Sequence, residues 1–258
     1  MKRETRFQAA FITGASSGIG AAIATELGAR GARVVLAARR EPELRVVARA
    51  IAERGGRAEL CVLDVADTSA TREAVRRWDE ETGGLDLVLA NAGVGDVQSA
   101  DKLEWRAVER ILDVNLVGAL AVLTEALPLM LARGRGTLAA VSSLAGLRGL
   151  PTSAVYSASK AALRIFLESL GVELRPRGLH VVDVRPGFID TPMTRKNRFP
   201  MPFLMPLEAA TERAIGGLER GEPVVAFPWQ LSMAMTLAEK MPDALWRAIA
   251  ARLPTKPD

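Results

Sequence analysis

"TGASSGIG", residues 13–20, stands between the apolar run "AAFI" and the helix-forming stretch "AAIATELGARGA". A strand that ends in closely spaced glycines and passes at once into a helix leaves free N–H groups at the helix start, facing whatever lies above the turn. Gly14 suits the tight turn, Gly18 lets backbone approach a phosphate, and Gly20 lets the helix pack closely on the sheet, with Ser16, Ser17 and Ile19 on the same turn. The glycine spacing is not GxGxxG, and no GK[ST] ending marks a P-loop. By itself the stretch is an anion-binding turn or an ordinary one.

The segments on either side repeat the pattern. "AAFIT", "RVVLA", "AELCVLDV", "LDLVLANAG", "GTLAAVSS", "HVVDVRPG" and "PVVAF" are β-branched, apolar runs separated by stretches long enough for crossover helices. Strands apolar on both faces belong to a parallel sheet covered by helices on each side. Right-handed crossovers then predict an α/β, Rossmann-like, doubly wound parallel sheet of about seven strands. No linker or low-complexity stretch divides the chain, so residues 1–258 read as one domain. Residues 228–258, rich in Met, Trp and Pro, read as a C-terminal helical extension of it.

With 49% apolar and 25% charged residues, the composition is that of a soluble globular protein. The net charge of +4 is spread without a basic block, which argues against nucleic acid as a partner. The single cysteine, Cys61, can form no internal disulfide and reads as a small buried residue, with a reducing compartment as the default. The opening "MKRETRFQAAFITGASSGIG" lacks the apolar core and cleavage site of a secretion signal, so the expected location is cytoplasmic. "LVGALAVLTEALPLMLA", from Leu116, contains Glu125 and Pro128 and reads as a buried amphipathic helix, not a membrane span. His180 stands apart from every motif, and no metal-ligand cluster is visible.

The second strand ends in Ala38, Arg39 and Arg40. At the equivalent point of an NAD site an acidic side chain accepts from the ribose hydroxyls. Guanidinium forks suit a 2′-phosphate instead, so NADP(H) is the preferred cofactor, NAD(H) the alternative, and Ser16 can reach the same phosphate. Arginines on a solvated helix start are the other reading.

"YSASK", residues 156–160, places the only tyrosine, Tyr156, four positions before Lys160, on one face of a helix. A cation beside a phenol makes the phenol a stronger acid, although a plain surface pair has the same spacing. Taken together, "TGASSGIG", "NAG" at 91–93, Asn115 in "DVN", Ser143 in "VSSLAG", "YSASK" and "RPGFIDTPM" resemble the short-chain dehydrogenase/reductase family in its short, single-domain branch, over roughly residues 7–227.

That resemblance implies an NAD(P)-dependent hydride transfer between a carbonyl and an alcohol. Tyr156 becomes the general acid or base, and Ser143, thirteen positions before it, is selected over Ser142 as the donor to the carbonyl oxygen. Lys160 holds the nicotinamide ribose and supplies charge. Asn115 positions a water between Lys160 and solvent, or simply bonds to main chain. Asp64 and Val65 lie by the adenine, unless Asp64 only caps a helix, and Asn91, Ala92 and Gly93 run beside the adenosine ribose. Pro186, Gly187 and Ile189 pass the nicotinamide, with Thr191 near its carboxamide or the pyrophosphate, unless proline and glycine only make a turn. Residues 191–206, "TPMTRKNRFPMPFLMP", resemble the substrate loop, and their Met, Phe and Pro content suggests an apolar wall for a lipophilic small-molecule substrate. A homodimer or homotetramer would form through helices near 103–132 and 153–175. Two non-redox readings stand beside this one. The first is a catalytically silent nucleotide-binding regulator. The second is a membrane-surface or partner-binding module using "FPWQLSMAMTLAEKMPDALWRAIAARL", a stripe that more ordinarily packs on its own domain.

Overall fold

Each apolar run becomes a strand in the computed structural model, which describes residues 4–95, 99–197 and 199–253. The strands are β1 (Ala9–Thr13), β2 (Arg33–Ala38), β3 (Arg57–Val62), β4 (Leu87–Ala90), β5 (Gly136–Val141), β6 (Leu179–Pro186) and β7 (Val224–Phe227). They form one seven-stranded sheet in the order β3-β2-β1-β4-β5-β6-β7, every pairing parallel. Helices cover both faces, which is why β1 and β4 are buried at every position. On one face α1 (Gly18–Ala29), α2 (Glu41–Glu53) and α7 (Leu207–Arg220) pack over Ile12, Leu36, Leu89 and Val182. On the other, α3 (Thr68–Thr82), α5 (Gly118–Arg133) and α6 (Ala154–Leu174) pack over Phe11, Val35, Val88 and Leu138.

A helix α4 (Trp105–Leu112) continues into α5 through a π-turn at Asp113–Val117. Within these 29 residues an 18-residue stretch reaches a mean hydropathy of 1.8, enough on length and composition alone to cross a membrane. Here that helix packs on the sheet and on α3, and Glu125 turns toward α3 to pair with Arg72 and Arg76, each at 2.6 Å. The helix reads in the fold as an amphipathic core element. Beyond β7, helices α8 (Trp229–Glu239) and α9 (Asp243–Ala250) fold back on the loop after β5. Arg148 of that loop donates from Nε to the Ala238 carbonyl at 2.8 Å and pairs with Asp243 at 2.8 Å, while Trp246 Nε1 donates to the Gly149 carbonyl at 3.2 Å. Residues 254–258 of the expected extension and Arg198 of the 191–206 segment lie outside the described residues.

From β1 the chain moves outward to β2 and β3, then returns across to β4 on the other side of β1. Such a reversal opens a crevice at the carboxyl ends of the two strands. Asn91, just after β4, closes the floor of that crevice: its Nδ2 donates to the Thr13 and Gly14 carbonyls at 2.8 and 3.3 Å, while Thr13 Oγ1 accepts from the Asn91 and Ala92 amides, both at 3.0 Å. A Cβ on Gly20 would lie 2.2 Å from Asn91 Nδ2 and 2.7 Å from the Gly14 carbonyl oxygen. Gly20→Ala is therefore expected to destabilise the fold by about 1–3 kcal/mol, an overpacking cost read directly from urea unfolding midpoints. A midpoint equal to wild type would mean that the two turns can separate freely.

Candidate active site

The crevice deepens into a cavity of about 460 Å³ that runs from the glycine turn to the start of α6. Gly14 and Gly18 adopt φ of +67° and +59°, left-handed values that favour glycine and set the turn. Ser16 and Ser17, above it, each accept from Arg40 Nη2 at 2.9 Å. Arg39 leans the other way, 3.5 Å from Asp64, and both side chains are exposed. The two arginines thus divide the rim at the end of β2, Arg40 toward the glycine turn and Arg39 toward the end of β3. Asp64 Oδ1 also accepts from the Ala66 amide at 3.1 Å, so it braces its own turn while lining the cavity.

At the far end stand Ser143, Tyr156 and Lys160. Tyr156 and Lys160 share a face of α6, as their spacing requires, and Lys160 Nζ lies 5.9 Å from the centre of the tyrosine ring. The two serines after β5 part company because successive side chains on an extended backbone point opposite ways. Ser143 stands beside the Tyr156 phenol, its Oγ donating to the Pro186 carbonyl at 3.4 Å and accepting from the Ala145 amide at 3.1 Å. Ser142 points away and donates to the buried Asp183 carboxylate. Lys160 is only 4% exposed, and its ammonium donates to the Val141 carbonyl at 2.7 Å. Burial pushes Lys160 down to about 8, with the negative charge of Asp183 acting in the opposite sense. Burial likewise pushes the Tyr156 phenol up from its ordinary value, against the hydrogen bond from Ser143. The acid-strengthening expected from the Tyr-Lys spacing is thus outweighed by loss of water around the phenol.

Gly14, Ser16, Ser17, Gly18, Ile19, Arg39, Arg40, Asp64, Val65, Asn91, Ala92, Gly93, Pro186, Gly187, Ile189 and Thr191 all line the same cavity. Gly20 and Asn115 stand one layer behind it. Asn115 is fully buried within the π-turn; its Oδ1 accepts from the Val94 amide at 2.7 Å, and its Nδ2 donates to the Val94 carbonyl at 2.9 Å and to Ser159 Oγ at 3.3 Å. Its amide is engaged with main chain, the second of the two roles weighed from the sequence. The cavity also takes in Val94 and Thr194, to which the sequence assigns no role, and Val141 and Ser142 of "VSSLAG", where the resemblance selects Ser143 over Ser142. Thr194 Oγ1 pins the start of the 191–206 segment, accepting from the Thr191 amide at 3.0 Å and donating to the Ile189 carbonyl. A Thr-x-x-Thr turn was a readable signal for that residue. The Val141 carbonyl had none, since any residue supplies one.

A dinucleotide fits these residues. The glycine turn offers backbone without side chains, and a Cβ on Gly93 would stand 3.6 Å from Lys160 Nζ, so glycine there leaves the ammonium approachable. A doubly wound parallel sheet with this crevice marks the Rossmann-like fold of an oxidoreductase family. The chain belongs to the short chain dehydrogenase family, whose profile matches residues 8–201. It is 47% identical over 250 residues to an uncharacterized oxidoreductase of Myxococcus xanthus, covering 97% of this chain and 99% of that one. Among solved structures, a short-chain type dehydrogenase/reductase from Mycobacterium marinum superposes with a TM-score of 0.78 at 28% identity, covering 88% of this chain and 95% of that one. A metagenomic short-chain oxidoreductase in complex with NADP gives 0.73 at 31% identity, covering 88% and 97%.

The buried lysine carries a stability consequence with a definite sign. Its folded value near 8 lies below the 10.5 of a free lysine, so the unfolded chain binds more protons between those values, and folding becomes more favourable as pH rises through them. Relative to Lys160→Met, the wild-type protein without added nucleotide should gain about 2–3 kcal/mol in unfolding free energy between pH 7 and pH 10. Urea titrations at the two pH values measure the difference, and a constant difference would show that Lys160 is not desolvated in the folded chain.

Proposed function

We propose that the chain is an NADP(H)-dependent oxidoreductase that interconverts a ketone or aldehyde and the corresponding alcohol. The observation that carries this reading is the convergence of Ser143, Tyr156 and Lys160 at one end of a cavity whose other end is a glycine turn flanked by two arginines. When bound, the reduced nicotinamide supplies hydride to the carbonyl carbon. Tyr156, kept protonated by burial, gives its proton to the carbonyl oxygen, and Ser143 Oγ donates a hydrogen bond to that oxygen as charge develops on it. The Lys160 ammonium stabilises the phenolate that this transfer leaves. Asn115 acts by clasping Val94 and Ser159 beside Lys160, which fixes the π-turn from which it would position a water for proton delivery.

NADP(H) over NAD(H) rests on Arg39 and Arg40 at the end of β2 and on Ser16 within reach of Arg40, with a 31% identical solved relative in complex with NADP in support. A lipophilic substrate rests on the 191–206 segment. That segment is tied to the strand end by the Asp190 amide on the Met205 carbonyl and the Met205 amide on the Phe188 carbonyl, both at 2.9 Å, and it carries exposed Met193, Phe203 and Leu204. A homodimer or homotetramer rests on Trp105 of α4 and on Ile165 and Val172 of α6, which leave large apolar side chains exposed on the two helices expected to mediate assembly. A cytoplasmic setting belongs to the same proposal.

Tyr156→Phe should bind NADPH like wild type and lose about 10²-fold or more in turnover, since only the transferable proton is removed. Nucleotide fluorescence titration and carbonyl reduction assays test the two halves separately, and turnover retained in the variant would take the tyrosine out of the mechanism. For the cofactor, wild type should bind NADPH better than NADH. Loss of one charge-assisted hydrogen bond costs roughly 10- to 150-fold, with Arg40 compensating in part. Ala38→Asp with Arg39→Leu should reverse the preference, because the carboxylate accepts from the ribose diol and repels the 2′-phosphate. Equal wild-type affinities, or a preference that does not move, would place these arginines on the solvated surface.

A further inference from the structure

Behind the reacting serine lies a buried carboxylate for which the reaction as proposed has no task. Asp183, on β6, is 2% exposed; Oδ1 accepts from Ser142 Oγ, and Oδ2 lies 2.5 Å from Arg185 Nε. Ser142 follows Val141, the residue whose carbonyl receives the Lys160 ammonium. The β5–β6 register sets Ala140 beside Asp183 and Val141 beside Val184. Carboxylate, serine hydroxyl, main-chain carbonyl and ammonium therefore share one buried space between the ends of β5 and β6 and the underside of α6.

We propose that Asp183 is a positioning residue, the buried counter-charge that keeps Lys160 protonated at the end of the cavity. This inference rests on the reading of Lys160 as the group that stabilises the tyrosine anion. Its logic is electrostatic. Among the described residues the group that receives the ammonium directly is a neutral carbonyl, and an ammonium removed from water with no negative charge nearby releases its proton. Asp183 supplies that charge through protein interior, where screening is weak, and it favours the protonated lysine against burial. The other charged groups around this space are accounted for. Arg185 forms an ion pair with Asp183 and favours its ionised form against the effect of burial. Arg164, one turn beyond Lys160 on α6, also acts on Asp183, but its guanidinium is paired at 2.9 Å with Glu239 of α8. The Tyr156 phenol is neutral until it transfers its proton.

The test uses full-length protein. Asp183→Asn combined with Arg185→Gln removes the ion pair as a unit, so that neither of its members is left buried without the other. Urea unfolding without nucleotide is followed from pH 6 to pH 10 for wild type and the double variant, each with and without Lys160→Met. The part of the stability climb that Lys160→Met abolishes should begin about one pH unit lower in the double variant, since an opposite charge at close range moves such a group by about that much or more. In parallel, the basic limb of carbonyl reduction at saturating NADPH should fall by a similar amount, and Asp183→Glu, which keeps the charge, should restore it. Identical Lys160-dependent climbs in the two backgrounds would overturn the proposal. Turnover retained in Lys160→Met would instead overturn the role of the lysine, while the unfolding profiles still judge Asp183. If the double variant does not fold, Arg164→Gln replaces it: removing a positive charge that favours the ionised form of Asp183 should weaken the counter-charge and move the lysine limb downward, and an unmoved limb counts against the proposal.

Discussion

Two backbones approach closely at the ends of β1 and β4, and the rest of the molecule depends on that contact. The Asn91 amide reaches the Thr13 and Gly14 carbonyls, Thr13 Oγ1 receives two amides in return, and a Cβ at Gly14 or Gly20 would stand inside contact distance of Asn91. "TGASSGIG" and "NAG" are thus two halves of one interaction, 78 residues apart. With the halves joined, the topological reversal becomes a crevice of fixed width, the helix start of α1 faces into it, and the strand ends that carry the chemistry are brought to the same side of the sheet.

At the other end of the crevice burial dominates the electrostatics. Tyr156 is pushed toward its neutral form by rising, Lys160 toward its neutral form by falling, and both move for the same reason, the loss of water around the charged species. A protonated phenol suits a proton donor, whereas a lysine that gives up its proton stabilises negative charge poorly. The fold answers with a carboxylate on β6, itself pushed upward by burial and pulled back by Arg185, Ser142 and Arg164. Perturbed groups of opposite sense clustered in one cavity are the signature of a reactive site, and here they are held by packing on all sides.

The C-terminal helices belong to this arrangement more closely than their composition suggested. Arg148 and Gly149, in the loop that follows Ser143, receive α8 and α9 through the Ala238 carbonyl, Asp243 and Trp246. Leu231 of α8 lies where a Cβ on Gly187 would come to 2.7 Å. Residues beyond the match to the family profile, which ends at 201, therefore form the backing of the loops on either side of Ser143. The Myxococcus relative aligns over 97% of this chain.

Much of this was legible in the sequence. The strands could be read because residues apolar on both faces have few other places to go. Tyr156 and Lys160 could be paired because helical spacing is a local rule, and the glycine turn could be placed because a sharp strand-to-helix passage needs φ values that Gly14 and Gly18 provide. Three things came only with the tertiary structure. Asn115 clasps the Val94 main chain from within the π-turn. Arg39 and Arg40, adjacent in sequence, turn to opposite sides of the cavity rim. The Val141 carbonyl and Asp183 surround the lysine that "YSASK" identifies. A hydrogen bond to main chain leaves no residue-type signal, and the direction of a pKa shift depends on how much water is excluded by segments from β4, β5, β6 and α6 together. That exclusion is a property of the assembled volume around a group, so no local pattern of residues can report it.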